Sequence, residues 1–362
     1  MEKLKVGILG ATGMVGQRYI ALLENHPWFE VTLVAASPRS AGKKYSEATL
    51  GRWQMVTPIP TSVCDLIVKD ANIVEDIASE VDFVFSAVEL EKELIRELEM
   101  KYARNNTPVV SNCSAHRGTE DVPMLIPEIN HSHLDIIQVQ QENRKFTKGF
   151  VLVKPNCSLQ SYITPMYALQ QKGYKISKAI ITTLQASSGA GHPGVPSLDL
   201  LDNIVPFIGG EEEKSENEPQ KIFGTIKNGK IINDTSIKIS AHCNRVPVVD
   251  GHTACVSLEF EDKDNKPSLD EIKKIWKEFS SVPQELDLPS APRCAIIYNE
   301  EQNRPQPRKD RDNDKGMGVT VGRLRECNVF DVRFVGLSHN TIRGAAGGGI
   351  LNAELLKAKG FL

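Results

Sequence analysis

The sequence predicts an α/β protein in two parts: a parallel sheet covered by helices, then an α+β part with a mostly antiparallel sheet. Three observations predict it. Up to about residue 150, short apolar runs alternate with segments of helical period. After Gly149, strand-like runs follow one another with few helices between them. A small-residue-rich helical segment closes the chain.

Leu4–Leu9 is a short apolar run, and from Met14 the residues Val15, Tyr19, Leu22 and Leu23 recur at helical spacing. Val31–Ala36 and Asp82–Ala87 read as strands. Leu90, Leu94, Leu98 and Tyr102 mark a helix, and Pro108–Ser111 begins a further strand. Strands joined through helical crossovers pair in parallel. In the second part Phe150–Lys154, Lys178–Leu184, Ala254–Phe260, Cys294–Tyr298, Gly318–Leu324 and Val329–Gly336 have strand character, with Asp270–Phe279 the clearest helix among them. Thr341–Lys359 reads as a helix that returns to pack on the first part. The polar stretches 209–221, 262–270 and 299–315 read as loops.

A chain of 362 residues with 40% hydrophobic and 25% charged residues predicts about two domains, each with a sizeable core. The net charge is -3 and the two signs are interspersed, so neither nucleic acid nor a membrane surface is an expected partner. No apolar run reaches the roughly 18 residues of a membrane span, and the N-terminus MEKLKVGILGATG has no secretory pattern. Cys64, Cys113, Cys157, Cys243, Cys255, Cys294 and Cys327 lie far apart with no CxxC pair. That spacing argues against a disulfide framework or a metal site and for a reducing compartment, the cytoplasm.

Gly10-Ala11-Thr12-Gly13-Met14-Val15-Gly16 follows the first strand and opens the first helix. Glycines there let the backbone approach a pyrophosphate, and the helix N-terminus presents free N–H groups, so the first part is expected to be a Rossmann-type dinucleotide-binding domain. The second strand ends in Ala35-Ala36-Ser37-Pro38-Arg39-Ser40. No acid is present to hold a ribose 2′-hydroxyl, and an arginine between two hydroxyls suits a 2′-phosphate. The expected cofactor is NADP.

Val151-Leu152-Val153-Lys154-Pro155-Asn156-Cys157-Ser158 puts a thiol where a strand gives way to a helix-like segment. At a helix N-terminus its pKa is expected to fall, and the turn's N–H groups suit an oxyanion. Cys113, in Ser111-Asn112-Cys113-Ser114, is a rival after another strand. Residues 115–128 show no helical period, whereas Leu159, Ile163, Met166 and Tyr167 share one face after Cys157. Pro165 is expected to kink that helix. Pattern therefore favours Cys157 narrowly. A thiol nucleophile needs a proton-handling partner. His252, in Asn244-Arg245-Val246-Pro247-Val248-Val249-Asp250-Gly251-His252, and His192, in Gly191-His192-Pro193-Gly194, both qualify, and pattern does not choose between them.

Taken together, GATGMVGQR, PNCS, TLQASSGAG, GGEEEK, NRVPVVDGH and SHNTIRGAAGG resemble aspartate-semialdehyde dehydrogenases, most of all the archaeal and fungal branch, over essentially the whole chain. The resemblance implies reductive dephosphorylation of β-aspartyl phosphate to L-aspartate semialdehyde through a Cys157 thioester, in the biosynthesis of lysine, threonine, methionine and isoleucine. It implies Cys157 as nucleophile with Asn156 beside it, Gln185 positioning the substrate, and His252 as the acid/base group. Arg245 would clamp the substrate carboxylate, Glu211 would meet its amino group, and Lys214 and Arg117 would bind phosphate. Thr12, Gly13, Val15, Ser37, Arg39, Ser40, Ser188 and Asn340 would line the NADP site, with Gly10, Met14, Ser86 and Gly191 beside them. No metal is implied. Residues 1–155 with 340–362 would form the NADP-binding domain and 156–339 the catalytic and dimerisation domain of a homodimer or homotetramer.

Two relatives set limits to this. N-acetylglutamyl-phosphate reductases carry glycine directly before the cysteine, where this chain has Asn156. Malonyl-CoA reductases resemble the same branch closely, and phosphate dependence separates them from it. A non-catalytic NADP-binding regulator would have no use for Cys157, Gln185, Arg245 and His252 together.

Overall fold

The computed structural model describes residues 2–362. In the first part β1 (Leu4–Leu9), β2 (Phe29–Ala36), β3 (Lys69–Asp70), β4 (Phe83–Ser86), β5 (Val109–Ser111) and β6 (Val151–Val153) form one sheet in the order β3-β2-β1-β4-β5-β6, with every pairing parallel. The order reverses between β1 and β4, which opens a crevice at the carboxyl ends of those strands. β4 is buried along its whole length, as a sheet covered on both faces requires. On one face Val6, Ile8, Val34 and Phe85 pack with Tyr19, Ile20 and Leu23 of the helix Met14–Leu23. On the other, Leu9, Leu33, Val84 and Val109 pack with Leu98, Tyr102 and Ala103 of the helix Lys92–Arg104. The helix Gly347–Ala358 places Ile350, Leu351, Leu355 and Leu356 in the first of these clusters, so the chain end returns to the first sheet.

The second sheet is built from β7 (Ile176–Gln185), β10 (Lys238–Arg245), β11 (His252–Phe260), β12 (Ile296–Asn299), β13 (Val319–Glu326) and β14 (Val332–Ser338), while β8 (Thr225–Lys227) and β9 (Lys230–Ile232) form a separate hairpin. Its order is β10-β7-β11-β14-β13-β12. The central pairings are antiparallel, but both edges, β10 on β7 and β12 on β13, are parallel. β7 alternates buried and accessible residues, and the inner face of the sheet packs on the helices Ile163–Gln171 and Leu269–Lys277. Trp276 meets Phe334 edge-on at 5.1 Å.

Several expectations are corrected. The strand β10 has no apolar run, because it is an edge strand that buries only Ala241, Cys243 and Arg245. Residues 209–221, expected to be a loop, fall almost wholly within the helix Glu211–Ile222. Its buried face is mostly polar, with Glu211, Ser215 and Glu218 above Ile222, so no hydrophobic period marks it. Cys157 precedes a 3-10 turn, Ser158–Ser161, and the α-helix starts only at Ile163. Pro165 is then in the first helical turn, where its missing N–H has no intrahelical partner to lose. The C-terminal segment begins as a π-turn, Ile342–Ala346, before the α-helix.

Candidate active site

Strand pairing assembles the site. Parallel pairing of β7 with β10 sets Gln185 beside Arg245, each at the last position of its strand. Antiparallel pairing of β7 with β11 brings the first residue of β11, His252, to the same edge. β6 of the first sheet ends just before Cys157, and the helix Glu211–Ile222 lays its polar face across all of them.

Cys157 Sγ lies 3.4 Å from His252 Nε2. Nδ1 of the same ring accepts the Ala186 N–H at 2.9 Å. Asn156 donates from Nδ2 to both Glu211 carboxylate oxygens (2.9 and 3.0 Å), and its Oδ1 accepts from the Ser158 N–H and hydroxyl. Gln185 donates to Glu211 Oε2 at 3.1 Å, and Lys214 Nζ pairs with Oε1 at 2.7 Å. One carboxylate thus organises Asn156, Gln185 and Lys214. A second, Glu218, pairs with Arg117 at 2.9 Å and accepts the Asn156 N–H at 2.6 Å, which holds the nucleophile turn. Arg117 also donates to the carbonyls of Lys154 and Asn112. Arg245 donates Nη1 to Ala186 O at 2.6 Å and, among the described residues, has no carboxylate within 4.0 Å.

Burial governs charge here. It pushes the Cys157 thiol up to about 11, reinforced by Glu211 and opposed by Lys154, Arg117 and Arg245. The expected fall at a helix N-terminus is overturned, since a four-residue 3-10 turn has little dipole to set against desolvation. Burial, aided by Arg245 and His339, pulls His252 down to about 3. Burial also pulls Lys154 down to about 7, opposed most by the Cys157 sulfur. Glu211 is pushed up by burial, but Lys214, Gln185 and Asn156 outweigh that and hold it below its ordinary value. The rival Cys113 is pushed up to about 12 by burial and by Glu99, and lines neither cavity described next.

A cavity of about 480 Å³ runs along the carboxyl ends of β1, β2 and β4 and is lined by Gly10, Thr12, Gly13, Ser37 and Arg39, together with Arg52 and Asn72. It fits a dinucleotide. Gly10 has φ 80° and lies so close to the Ala87 carbonyl that a Cβ would collide with it, so only glycine lets this turn pack against the segment after β4. A second cavity, about 230 Å³, is lined by Met14, Val15, Asn112, Arg117, Asn156, Cys157, Ser188, Gly191 and Asn340. Glu89 borders both. Asn340 is fixed by donating to Ser188 Oγ at 2.8 Å and accepting the Gly251 N–H. Ser40 and Ser86 are buried and line neither cavity; Ser86 faces the Cys113 sulfur instead. His192 is exposed and lines neither cavity.

Reasoning from sequence missed Glu218, Lys154, Arg52, Asn72 and Glu89. Glu218 alone had a signal, standing seven residues after Glu211 on one helical face, but the segment read as a loop.

A dinucleotide crevice beside a second cavity that reaches a cysteine paired with a buried histidine marks the class of two-domain semialdehyde dehydrogenases. Family models described as semialdehyde dehydrogenase, NAD binding domain, and semialdehyde dehydrogenase, dimerisation domain, match residues 5–137 and 166–343. The chain is 47% identical to an aspartate-semialdehyde dehydrogenase of Methanothermobacter thermautotrophicus, covering 98% of this chain and 99% of that one. It is 44% identical to one of Schizosaccharomyces pombe over 99% of each. The crystal structure of aspartate semialdehyde dehydrogenase with NADP from Candida albicans superposes with a TM-score of 0.91 at 41% identity, covering 100% of both chains. The chain belongs to the aspartate-semialdehyde dehydrogenase family. Among the described residues, no helix is long and apolar enough to cross a membrane.

Proposed function

We propose that the chain catalyses the NADP-dependent reductive dephosphorylation of β-aspartyl phosphate to L-aspartate 4-semialdehyde through a Cys157 thioester. The observation that carries this reading is the adjacency of the two cavities: Glu89 borders both, Gly13 and Arg39 lie in one, and Cys157 and Arg117 in the other. Bound NADPH supplies the hydride. Cys157 Sγ adds to the acyl carbon, the C–O bond to phosphate breaks, and a thioester remains; hydride addition and loss of the C–S bond then release the aldehyde. Arg245, a guanidinium free of carboxylate partners, suits the substrate α-carboxylate, and the Glu211 carboxylate suits its ammonium group. Arg117 and Lys214 are the cations for the acyl phosphate. Asn156 and Gln185 hold Glu211 in place.

In this reading residues 1–155 with 340–362 bind NADP, and 156–339 carry the catalytic residues and the contact between subunits of a homodimer or homotetramer. All seven cysteines are free, which supports a reducing, cytoplasmic setting.

The test is NADPH formation from L-aspartate semialdehyde and NADP, with and without inorganic phosphate. Rapid, phosphate-dependent reduction is expected. Cys157→Ser should lower turnover by orders of magnitude and leave NADP binding nearly unchanged. Activity on a coenzyme A thioester without phosphate would instead assign a malonyl-CoA reductase reaction.

A further inference from the structure

A guanidinium carries five N–H donors, and Arg117 commits three of them within the protein. Nε donates to Lys154 O at 3.0 Å, Nη2 to Asn112 O at 3.3 Å, and Nη1 to Glu218 Oε1 at 2.9 Å. The remaining N–H groups are left for a ligand in the cavity that Arg117 lines together with Cys157. Glu218 is buried, and each of its oxygens has one task. Oε1 takes the guanidinium, and Oε2 accepts the Asn156 N–H at 2.6 Å. A single carboxylate therefore ties the guanidinium to the backbone directly before the nucleophile. One turn further along the same helix, Lys221 donates to the carbonyls of Arg117 and Thr119 at 2.8 and 2.7 Å. The helix Glu211–Ile222 thus holds both the side chain and the main chain of Arg117.

We propose that Glu218 is a positioning residue for the phosphate group: it fixes the open edge of Arg117 relative to Cys157, so that phosphate and sulfur meet at one acyl carbon. The inference rests on the proposed reading of the Cys157 site as one that takes an acyl phosphate. An arginine side chain left unheld would lose its rotamer freedom at each binding event. Glu218 removes that freedom when the chain folds, and its second bond sets the guanidinium against the turn that carries the thiol.

The charge of Glu218 acts the other way. A carboxylate close to an anion site repels the anion, so charge and positioning give opposite signs when the carboxylate is neutralised. If Glu218 acted through its charge alone, its removal would tighten phosphate. If it positions Arg117, its removal loosens phosphate, even though a negative charge has gone.

The experiment compares the wild-type protein with Glu218→Gln, whose amide keeps the shape but can accept from only one of the two donors. NADPH formation from L-aspartate semialdehyde and NADP is followed as inorganic phosphate is varied. Glu218→Gln should raise the phosphate KM about tenfold, with the KM values for aldehyde and NADP within about twofold of wild type. A phosphate KM that is unchanged or lower overturns the proposal, and so does an equal rise in all three. Glu218→Asp keeps the charge but is too short to span both donors. It should show the same phosphate-selective rise, and it carries the test alone if Glu218→Gln does not fold. Protection of Cys157 from an alkylating reagent by inorganic phosphate gives a readout without turnover. Glu218→Gln should need about tenfold more phosphate than wild type for equal protection. That pattern without phosphate-dependent turnover would count against the proposed reaction alone, whereas equal protection of both proteins would count against the role of Glu218.

Discussion

Glu99 lies beneath the carboxyl ends of β4 and β5 with no cation beside it. Its Oε1 accepts the Ser111 hydroxyl at 2.6 Å, and its Oε2 has no partner among the described residues. Burial pushes its carboxyl up to about 7. Between roughly pH 4.5 and 7 the folded protein therefore keeps a proton that the unfolded chain has lost. Stability is fully present below that window and declines as pH rises through it. Glu99→Gln should abolish the decline and raise Tm relative to wild type at pH 8 but not at pH 4.5; an equal Tm difference at both values would refute the shift. The same desolvation raises both Cys113 and Cys157, so it is place that separates the two cysteine turns: Cys157 lines a cavity and lies 3.4 Å from His252 Nε2, and Cys113 lines neither cavity. Periodicity carries no information about desolvation, so the charge states of Glu99, Cys157 and Lys154 were not legible before folding.

The π-turn Ile342–Ala346 shows how an element, rather than a residue, shapes the site. It joins β14 to the C-terminal helix and presses Gly344 against the nucleophile, where a Cβ would stand 2.8 Å from Cys157 Cβ. Arg343 anchors the turn from inside, paired with Glu128 and donating to Gln160 Oε1 at 3.1 Å. Gly344→Ala should displace the thiol by a fraction of an ångström and lower kcat about 10²-fold, with NADP affinity unchanged. Titration of Cys157 with an alkylating reagent would report the displacement, and an unchanged rate would remove the turn from the mechanism. The small-residue composition of 341–359 marked a helix but not this contact, since only the fold brings residue 344 to residue 157. The helix Glu211–Ile222 makes the converse point. Its buried face serves the site more than the core, with Ile222 its one residue in the hydrophobic cluster, so the period that reveals core helices is missing.

Across the whole molecule, apolar side chains left in solvent gather along one edge of the second sheet. Leu198, Leu201, Ile204, Phe207 and Val249 are exposed, Phe207 by 72%, close to where Val205 bridges to Arg245 at the end of β10. Such a patch on a monomer marks a contact surface, and residues 166–343 match a model described as a dimerisation domain. Light scattering should give more than one chain per particle. Phe207→Asp should shift that equilibrium toward monomer and lower Tm, because association stabilises the folded chain by mass action. A wild-type protein that stays monomeric at every concentration would refute the assignment.

The sequence by itself determined what depends on near neighbours in the chain. Alternating strand and helix periods specified the parallel sheet, Gly10–Gly16 its phosphate turn, and Pro155-Asn156-Cys157-Ser158 a thiol at a strand end, because each rests on local backbone geometry or on which face a residue presents. Tertiary structure alone decided the rest. It brought His252 rather than His192 to the sulfur through the antiparallel pairing of β7 with β11, and set Glu218 between Arg117 and the Asn156 amide. It also turned the expected low-pKa thiol into one raised by burial. Those outcomes depend on strand pairing across long separations and on the removal of water, and neither is written in local spacing.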